Sequence, residues 1–226
     1  MNKIGVLTFQ NAYNYGAVLQ AYALRKVIGK NCDIINYGNE YFKQNEIYYK
    51  YERDLKRNLI KLLYKNKLKQ KIDKFHVFQK YLVENRPLIT DEELKALNDQ
   101  YDMIITGSDQ VWNLKCSGNK TSYFLDFIID SYKKNSYAAS FGSDNLDDIN
   151  MKISKKYLSD FNNISVRENS GKKIIKELTG RDVPVVLDPT MLLSNNEWDE
   201  LIEQFNLKKT ESKKYVLLYS VLNGDK

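Results

Sequence analysis

The segment from Met103 to Asn113 constrains the fold of this chain more than any other part of its sequence. A short apolar run, Met103 to Thr106, passes without a linker into a glycine and a dense group of polar side chains. In open α/β sheets, ligands bind beside the carboxyl ends of buried parallel strands. The segment therefore predicts both a parallel sheet and a binding site at its edge.

Strand and helix patterns alternate along most of the chain, which is typical of an α/β fold with a doubly wound, mostly parallel sheet. Apolar runs predict strands at Ile4–Phe9, Asp33–Tyr37, Met103–Thr106, Ser136–Phe141, Ile164–Val166 and Pro184–Leu187. Helical spacing of apolar residues predicts helices at about Val18–Ile28, Ile149–Phe161, Gly171–Leu178 and Asn196–Phe205. We therefore expect five or six strands in one domain that spans residues 1–207.

The composition is that of an ordinary globular protein, with 226 residues of which 42% are hydrophobic and 28% charged. No stretch approaches the roughly 18 uninterrupted apolar residues of a membrane span, and the first ten residues lead into a strand pattern instead of a signal peptide. A cytoplasmic location is therefore expected. Cys32 and Cys116 have no cysteine or histidine near them at ligand spacing, so idle thiols are favoured over a metal site or a disulfide.

A basic insertion interrupts the alternation at residues 41–86. Lys43 to Arg86 contains 13 basic and 5 acidic residues, so this segment holds all of the net charge of +6. A pair of solvated amphipathic helices is the simpler interpretation. The alternative is a surface for an anionic partner, such as a phospholipid leaflet at the inner face of the membrane or a diphosphate-linked acceptor.

Two features of this insertion exclude or weaken other interpretations. Nucleic acid would be attracted by the same charges, but no recognised nucleic-acid motif is present, so no nucleic-acid partner is expected. His76, the only histidine, lies between two apolar residues in the insertion. A structural role for it is favoured over a catalytic one.

The segment 208–226 has the pattern of a polar linker followed by a new strand at Tyr215–Leu222. A buried parallel strand needs neighbours and covering helices, and the remaining residues are too few to provide them. We therefore expect the linker and first strand of a truncated second domain. An edge strand of the first sheet is the alternative.

The loop after the first predicted strand contains two candidate binding residues. Asn14 can cap the following helix, and Gly16 lets the backbone of its first turn pass closely, so free N–H groups can bind a phosphate or carboxylate. The dinucleotide fingerprint G-x-G-x-x-G is missing. Plain turn and cap residues are the alternative interpretation.

The loop after Met103–Thr106 offers the largest set of functional groups. Asp109 can act as a base or orient a sugar hydroxyl, and Ser108 and Gln110 can hydrogen-bond the same sugar. Trp112 can stack against the apolar face of a sugar ring, or it can be a core aromatic. These four residues are the second group of candidates.

Arg167, at the end of a predicted strand, is the preferred anion clamp because its planar fork matches a carboxylate or phosphate in two parallel hydrogen bonds. An ion pair with Glu168 or Asp188 is the alternative.

Asp188 itself is held extended by the proline that follows, and it is interpreted as structural. The small residues of Ala138–Gly142 permit close backbone approach, or simply tight strand packing.

Taken together, these motifs resemble those of the polysaccharide pyruvyl transferase family. The resemblance rests on five segments in the expected order, Thr8–Tyr22, Gly107–Asn113, Tyr137–Gly142, Ser165–Glu168 and Leu187–Thr190. It implies that the chain is similar to the Rossmann-like N-terminal half of a GT-B fold. It also implies transfer of a pyruvyl group from phosphoenolpyruvate, with no further cofactor, to a glycan or lipid-linked glycan of the bacterial surface.

The resemblance assigns roles to only some residues. Arg167 is a candidate contact to the carboxylate or phosphate of the donor, and the loops of Asn14 and Asp109 are expected to line the cleft. The family's catalytic histidine is expected in the second half, and His76 is not a convincing match for it. The fragment is therefore expected to be an incomplete enzyme whose general acid is unidentified.

Two rival hypotheses remain at this point. One is a nucleotide-sugar glycosyltransferase of the same architecture, and the other is a non-catalytic module that docks on a membrane through the basic insertion.

Overall fold

A four-stranded parallel sheet forms the centre of the first of two compact units, which ends at Leu192. The computed structural model describes residues 2–38 and 55–207, without the side chains of residues 55–64 and 68. The strands are β1 (Ile4–Leu7), β2 (Cys32–Ile34), β3 (Met103–Thr106) and β4 (Lys134–Ser136), and each of the first three contains β-branched residues, which favour strands. Their order in the sheet is β2-β1-β3-β4, and every neighbouring pair is parallel. The sheet confirms the predicted α/β fold.

Two later segments extend the sheet beyond β4 as isolated parallel bridges. The bridges join Asn135 to Asn163, Ala139 to Val166 and Val166 to Val185. The strands predicted at Ile164–Val166 and Pro184–Leu187 are therefore present only as single bridged positions. The described part thus has four full strands where five or six were expected.

The predicted strand Ser136–Phe141 is wrong in its bounds. The observed strand ends at Ser136, and Ala138 adopts a left-handed conformation with φ of 51°. An extended chain cannot continue through such a residue, because L-residues in strands require negative φ. The turn allows Ala139 to bridge Asp109 on one side and Val166 on the other.

In the described part of the chain, helices form at all four predicted positions and at three further ones. They are α1 (Tyr15–Ile28), α2 (Leu55–Leu82), α3 (Leu97–Gln100), α4 (Leu114–Ser117), α5 (Asp148–Leu158), α6 (Asn169–Thr179) and α7 (Asn195–Gln204). The chain also forms short 3₁₀ turns at Leu94–Ala96, Ser122–Phe124, Ser131–Lys133 and Pro189–Met191. None of the helices in residues 2–38 and 55–207 is both long enough and apolar enough to cross a bilayer.

The ends of α1 follow the predicted capping chemistry. Asn14 is the N-cap, and its side-chain oxygen accepts a hydrogen bond from the backbone N–H of Ala17 at 3.2 Å. Gly29 is the C-cap with φ of 98°, and its N–H donates to the carbonyl of Arg25 at 2.9 Å. Capping therefore sets both ends of the helix that joins β1 to β2.

The strand order reverses between β1 and β3. The connection through α1 places β2 on one side of β1, and the chain then returns to place β3 on the other side. In doubly wound sheets a crevice opens at such a point, because the loops leaving the two strands diverge in opposite directions. The loops that start at Thr8 and Gly107 flank this crevice.

The basic insertion contains one continuous helix, α2, in its described part. Ile72, Phe75, Gln79 and Leu82 are buried at helical spacing, while the lysines at 65, 67 and 69 are exposed. A second helix was expected in the same insertion, and residues 39–54, where it would start, lie outside the described residues.

A second compact unit begins at Leu193. Its helix α7 starts with a capping box, in which Ser194 accepts from the N–H of Glu197 and the Glu197 carboxylate accepts from the N–H of Ser194. The strand predicted at Tyr215–Leu222 and the linker before it lie outside the described residues, so the domain boundary at residue 207 stays a prediction.

Close packing around Gly5 in β1 can be tested by substitution. A Cβ at Gly5 would lie 2.9 Å from Cδ1 of Ile35 and 3.2 Å from the ring of Tyr101. We expect Gly5→Ala to lower the free energy of unfolding by about 1–3 kcal/mol, because the extra methyl overpacks a buried layer. Urea denaturation monitored by circular dichroism measures this loss.

The control removes the atom that the new methyl meets. Ile35→Val lacks Cδ1, so the double variant Gly5→Ala/Ile35→Val should lose less stability than the sum of the two single losses. Strict additivity would contradict the close contact.

Candidate functional site

The two loops of the crevice are joined at their base by buried hydrogen bonds. The hydroxyl of Thr8 donates to the carbonyl of Ser108 at 2.7 Å, and Gln20 on α1 donates to the Thr8 hydroxyl at 2.8 Å. Gly107 permits this approach, since a Cβ there would lie 3.1 Å from Cβ of Thr8. Thr8, Gln20 and Ser108 are all buried, so these hydrogen bonds fix the two loops to each other below the surface.

Three strand-end loops converge on the carboxylate of Asp188. Oδ2 of Asp188 accepts from the Ser108 hydroxyl at 2.9 Å and from Nη1 of Arg167 at 3.2 Å. Oδ1 accepts from the backbone N–H and the hydroxyl of Thr190 at 3.0 and 2.7 Å. Residues predicted from separate motifs are therefore brought together at one edge of the sheet.

Hydrogen bonding keeps Asp188 ionised. Burial alone would raise its pKa, but the bonds from Thr190, Ser108 and Arg167 outweigh burial and hold the pKa below the usual 3.8. The group that the sequence suggested as structural is thus the negative centre of the cluster.

Arg167 forms the ion pairs that the sequence offered as the alternative to an anion clamp. Its Nε donates to Glu168 at 2.8 Å and its Nη1 to Asp188, so both alternative ion pairs are formed. Among the described residues, Nη2 has no hydrogen-bond partner, and the side chain is 28% exposed. One nitrogen of the fork therefore remains for an anion, instead of the two that a bidentate clamp would use.

Asp109 lies beside this cluster in a strained backbone conformation. Its φ is 102°, and it bridges Ala139 in the neighbouring segment. Its carboxylate accepts from the N–H of Gln110 at 2.8 Å. Burial raises the pKa of Asp109 above its usual value, although the Gln110 hydrogen bond and the charge of Arg167 oppose that shift.

Gln110 connects the loop after β3 with the loop after β4. A Cβ at Gly142, whose φ is 63°, would collide with the side chain of Gln110. The side-chain oxygen of Gln110 accepts from Asn113 at 3.2 Å. The small residues at Ala138–Gly142 therefore do permit a close approach, but it is to a protein side chain.

Trp112 lies in the core. The ring is 1% exposed and packs against Phe124, Phe141 and Phe161 with centroid distances of 6.2, 5.2 and 6.0 Å. Both faces of the indole are therefore occupied by protein. Of the two interpretations of Trp112, this placement supports the core aromatic over the sugar platform.

The predicted residues Asn14 and Gly16 lie at the exposed start of α1. The Asn14 side chain is used as the helix cap, and no described hydrogen bond links either residue to the cluster of Asp188. The first turn of α1 is accessible to an anion from solvent. The structure therefore groups Ser108, Asp109 and Arg167, while Asn14 and Gly16 form a separate part of the same edge.

His76 contacts the loop after β1 instead of the cluster. Its Nε2 lies 2.7 Å from the hydroxyl of Tyr13, and the neighbouring Phe75 packs edge-on against the Tyr13 ring. Gln79 donates to the carbonyl of Ala12 at 3.3 Å. These contacts attach α2 to the crevice loop and support a structural role for the histidine.

Sequence reasoning left Asp188 out of the site. Its signal was present, since an acidic residue directly after a strand and before a proline is well placed at a ligand-binding edge.

Within the described residues, no group of three or more His, Cys, Asp or Glu side chains could hold a metal ion.

Comparison with known protein families gives a match over most of the chain. A family model described as polysaccharide pyruvyl transferase matches residues 14–224, which include the cluster of Ser108, Arg167 and Asp188. No curated protein and no solved structure matches the chain.

The charge of Asp188 should stabilise the folded chain. At pH 7 we expect Asp188→Asn to lower the free energy of unfolding by about 1–3 kcal/mol, because Arg167 loses a charged hydrogen-bond partner. The folded pKa lies below 3.8, so this stabilisation is present above pH 3.8 and is lost as the pH falls through the folded pKa. Denaturant titrations at several pH values measure it.

Asp182→Asn is the matched control, because Asp182 forms an exposed pair with Lys172. Its loss should stay below about 0.5 kcal/mol. An Asp188→Asn effect of constant size from pH 7 to pH 3 would contradict the assignment of the stabilisation to charge.

Proposed function

The chain belongs to the polysaccharide pyruvyl transferase family, and we propose that it transfers a pyruvyl group from phosphoenolpyruvate to a sugar of a bacterial cell-surface polysaccharide. The family assigns it to the transferases of glycan biosynthesis. The donor, the ketal product and the acceptor are parts of the proposal. The observation that carries it is the convergence of Ser108, Arg167 and Asp188 at the carboxyl edge of the sheet, inside the matched region.

The proposed reaction forms two bonds to one carbon. Protonation of the methylene carbon of phosphoenolpyruvate lets a first sugar hydroxyl add to the adjacent carbon. Phosphate then leaves with the bonding electrons, and a second hydroxyl adds to the same carbon to close the ketal. The two hydroxyls release two protons, of which the methylene carbon takes up one and the departing phosphate the other, so the reaction needs a base, an acid and a contact for the donor's negative charge.

Arg167 is proposed as the contact for the carboxylate or phosphate of the donor. Its Nη2 is the nitrogen without a partner among the described residues, whereas Nε and Nη1 are held by Glu168 and Asp188. A guanidinium held at two nitrogens has little freedom to reorient, so the third is presented in a fixed direction. This supports one directed contact from this cluster to the donor.

Asp109 is proposed as the base that takes a proton from a sugar hydroxyl. Its raised pKa makes the ionised carboxylate a stronger proton acceptor than an exposed aspartate. Ser108 is proposed to position the carboxylate of Asp188, to which its buried hydroxyl donates, and Gln110 is proposed to hydrogen-bond the acceptor sugar. Asn14 and Gly16 are proposed to line the crevice at the start of α1.

The proposed donor is an intracellular metabolite, so we place the reaction in the cytoplasm. We also propose that the sheet described above corresponds to one half of a GT-B-like enzyme. The parallel sheet and the crevice at its carboxyl edge support this assignment.

The proposal is tested by incubating the full chain with phosphoenolpyruvate and free or lipid-linked glycan acceptors. We expect phosphate release that depends on the acceptor, and a pyruvyl ketal detected by mass spectrometry. Calorimetric titration with phosphoenolpyruvate alone measures donor binding directly. Nucleotide release from a nucleotide sugar, with neither binding nor turnover of phosphoenolpyruvate, would support the glycosyltransferase alternative instead.

Arg167→Lys should lower kcat/KM by about 10-fold or more, because a lysine keeps the charge but loses the fork held by Glu168 and Asp188. Arg181→Lys is the matched control, since Arg181 binds backbone carbonyls of Phe161 and Asn162 away from the cluster. Equal losses in the two variants would contradict the assignment of Arg167.

The role of Asp109 predicts a specific pH profile. Because the base must be ionised, kcat/KM should fall as the pH drops through a pKa above the usual 3.8. Asp109→Asn should lower kcat by about 10² to 10⁴ and remove this limb from the residual activity. Asp144→Asn, in an exposed loop, is the control and should leave the profile unchanged.

A further inference from the structure

Helix α2 runs alongside α1 in the same direction. At the start of α1, Tyr15 packs against Phe75 with ring centroids 5.0 Å apart, and the amine of Lys71 lies 5.3 Å from the centre of the Tyr15 ring. Seven residues later in α1, Tyr22 contacts Phe78. The turn of α2 from Lys71 to Phe75 is therefore level with the first residue of α1, which begins at the carboxyl edge of the sheet.

The turns of α2 before Lys71 continue past that edge. The helix is continuous from Leu55 to Leu82, so 16 residues precede Lys71. At a rise of about 1.5 Å per residue, this part extends about 24 Å beyond the start of α1. Residues 55–70, called here the basic arm, therefore project on the side where the crevice opens.

The sequence of the basic arm combines positive charge with apolar residues. Six of its 16 residues are lysine or arginine and none is acidic. Leucines recur at positions 55, 59, 62 and 63, which is the spacing of an amphipathic helix. Lys65, Lys67 and Lys69 are exposed.

These properties fit one kind of partner best. A basic amphipathic helix binds an anionic bilayer through electrostatic attraction and shallow burial of its apolar residues. Nucleic acid would bind the positive charges through its phosphates, but that interaction does not explain the leucines. We propose that the basic arm binds an anionic phospholipid surface and so turns the crevice towards the membrane.

If the proposed function holds, the orientation of the crevice towards the membrane favours a lipid-linked acceptor. A sugar attached to a lipid is presented at the bilayer surface, and the arm would bring the carboxyl edge of the sheet to that surface. Binding to vesicles does not depend on pyruvyl transfer. Failure of either property is therefore distinguishable from failure of the other.

Co-sedimentation with vesicles tests the proposal. In 0.1 M salt, the full chain should bind vesicles containing 30% phosphatidylserine but not vesicles of phosphatidylcholine alone. The variant Lys65→Glu/Lys67→Glu/Lys69→Glu should bind about 100-fold more weakly, because each basic residue near an anionic surface contributes several-fold. Raising the salt to 0.5 M should release the unaltered chain.

The matched control is Lys152→Glu/Lys155→Glu/Lys173→Glu, which changes the net charge by the same amount at exposed positions of α5 and α6. It should retain most of the vesicle binding. Equal losses in the two variants, or equal binding of the unaltered chain to neutral and anionic vesicles, would overturn the proposal. Tighter binding to duplex DNA than to anionic vesicles, lost in the arm variant, would overturn it in favour of nucleic acid.

A further readout does not require the triple variant to fold. Lys69→Cys or Lys173→Cys is introduced into a chain in which Cys32 and Cys116 are replaced by serine. The single remaining cysteine is then labelled with an environment-sensitive dye. The dye at position 69 should report transfer into an apolar environment on anionic vesicles, whereas the dye at position 173 should not. The same response at both positions would overturn the orientation.

Discussion

The common direction of the parallel strands determines where every candidate group lies. Because all four strands run in the same direction, their carboxyl ends meet at one edge of the sheet. The bridged segments at Val166 and Val185 are also parallel, so the loops that follow them begin at the same edge. Ser108 and Asp188 are 80 residues apart in the chain, yet their side chains are hydrogen-bonded at 2.9 Å. Without this shared direction, the motifs would lie at opposite ends of the sheet.

Local patterns were sufficient to predict elements whose limits are set by local chemistry. Asn14 and Gly29 cap the two ends of α1, as expected of an asparagine and a glycine at these positions. The bounds of β3 agree with the apolar run from Met103 to Thr106. The strand after Ser136 was misplaced because Ala138 adopts positive φ, which no side-chain preference of alanine indicates. The turn accompanies the pairing of Ala139 with two segments that are distant in the chain, which no local pattern records.

The candidate site was only partly predictable, since its chemistry depends on contacts between distant segments. The sequence indicated Arg167 as either an anion clamp or an ion-pair partner, and the structure shows two of its nitrogens in ion pairs with Glu168 and Asp188. Trp112 has the same neighbours in sequence whether it faces a ligand or the core. Its burial follows from aromatic rings that the fold brings from Phe124, Phe141 and Phe161.

The two carboxylates that hold Arg167 also change how the protein would treat a simple anion. Glu168 and Asp188 together carry more negative charge than the guanidinium can neutralise, so the cluster does not attract free phosphate as an isolated arginine would. A substrate that also makes contacts elsewhere could still overcome this repulsion. Inorganic phosphate released by the proposed reaction would have no such contacts, and the carboxylates would therefore favour rapid departure of the product and weak product inhibition.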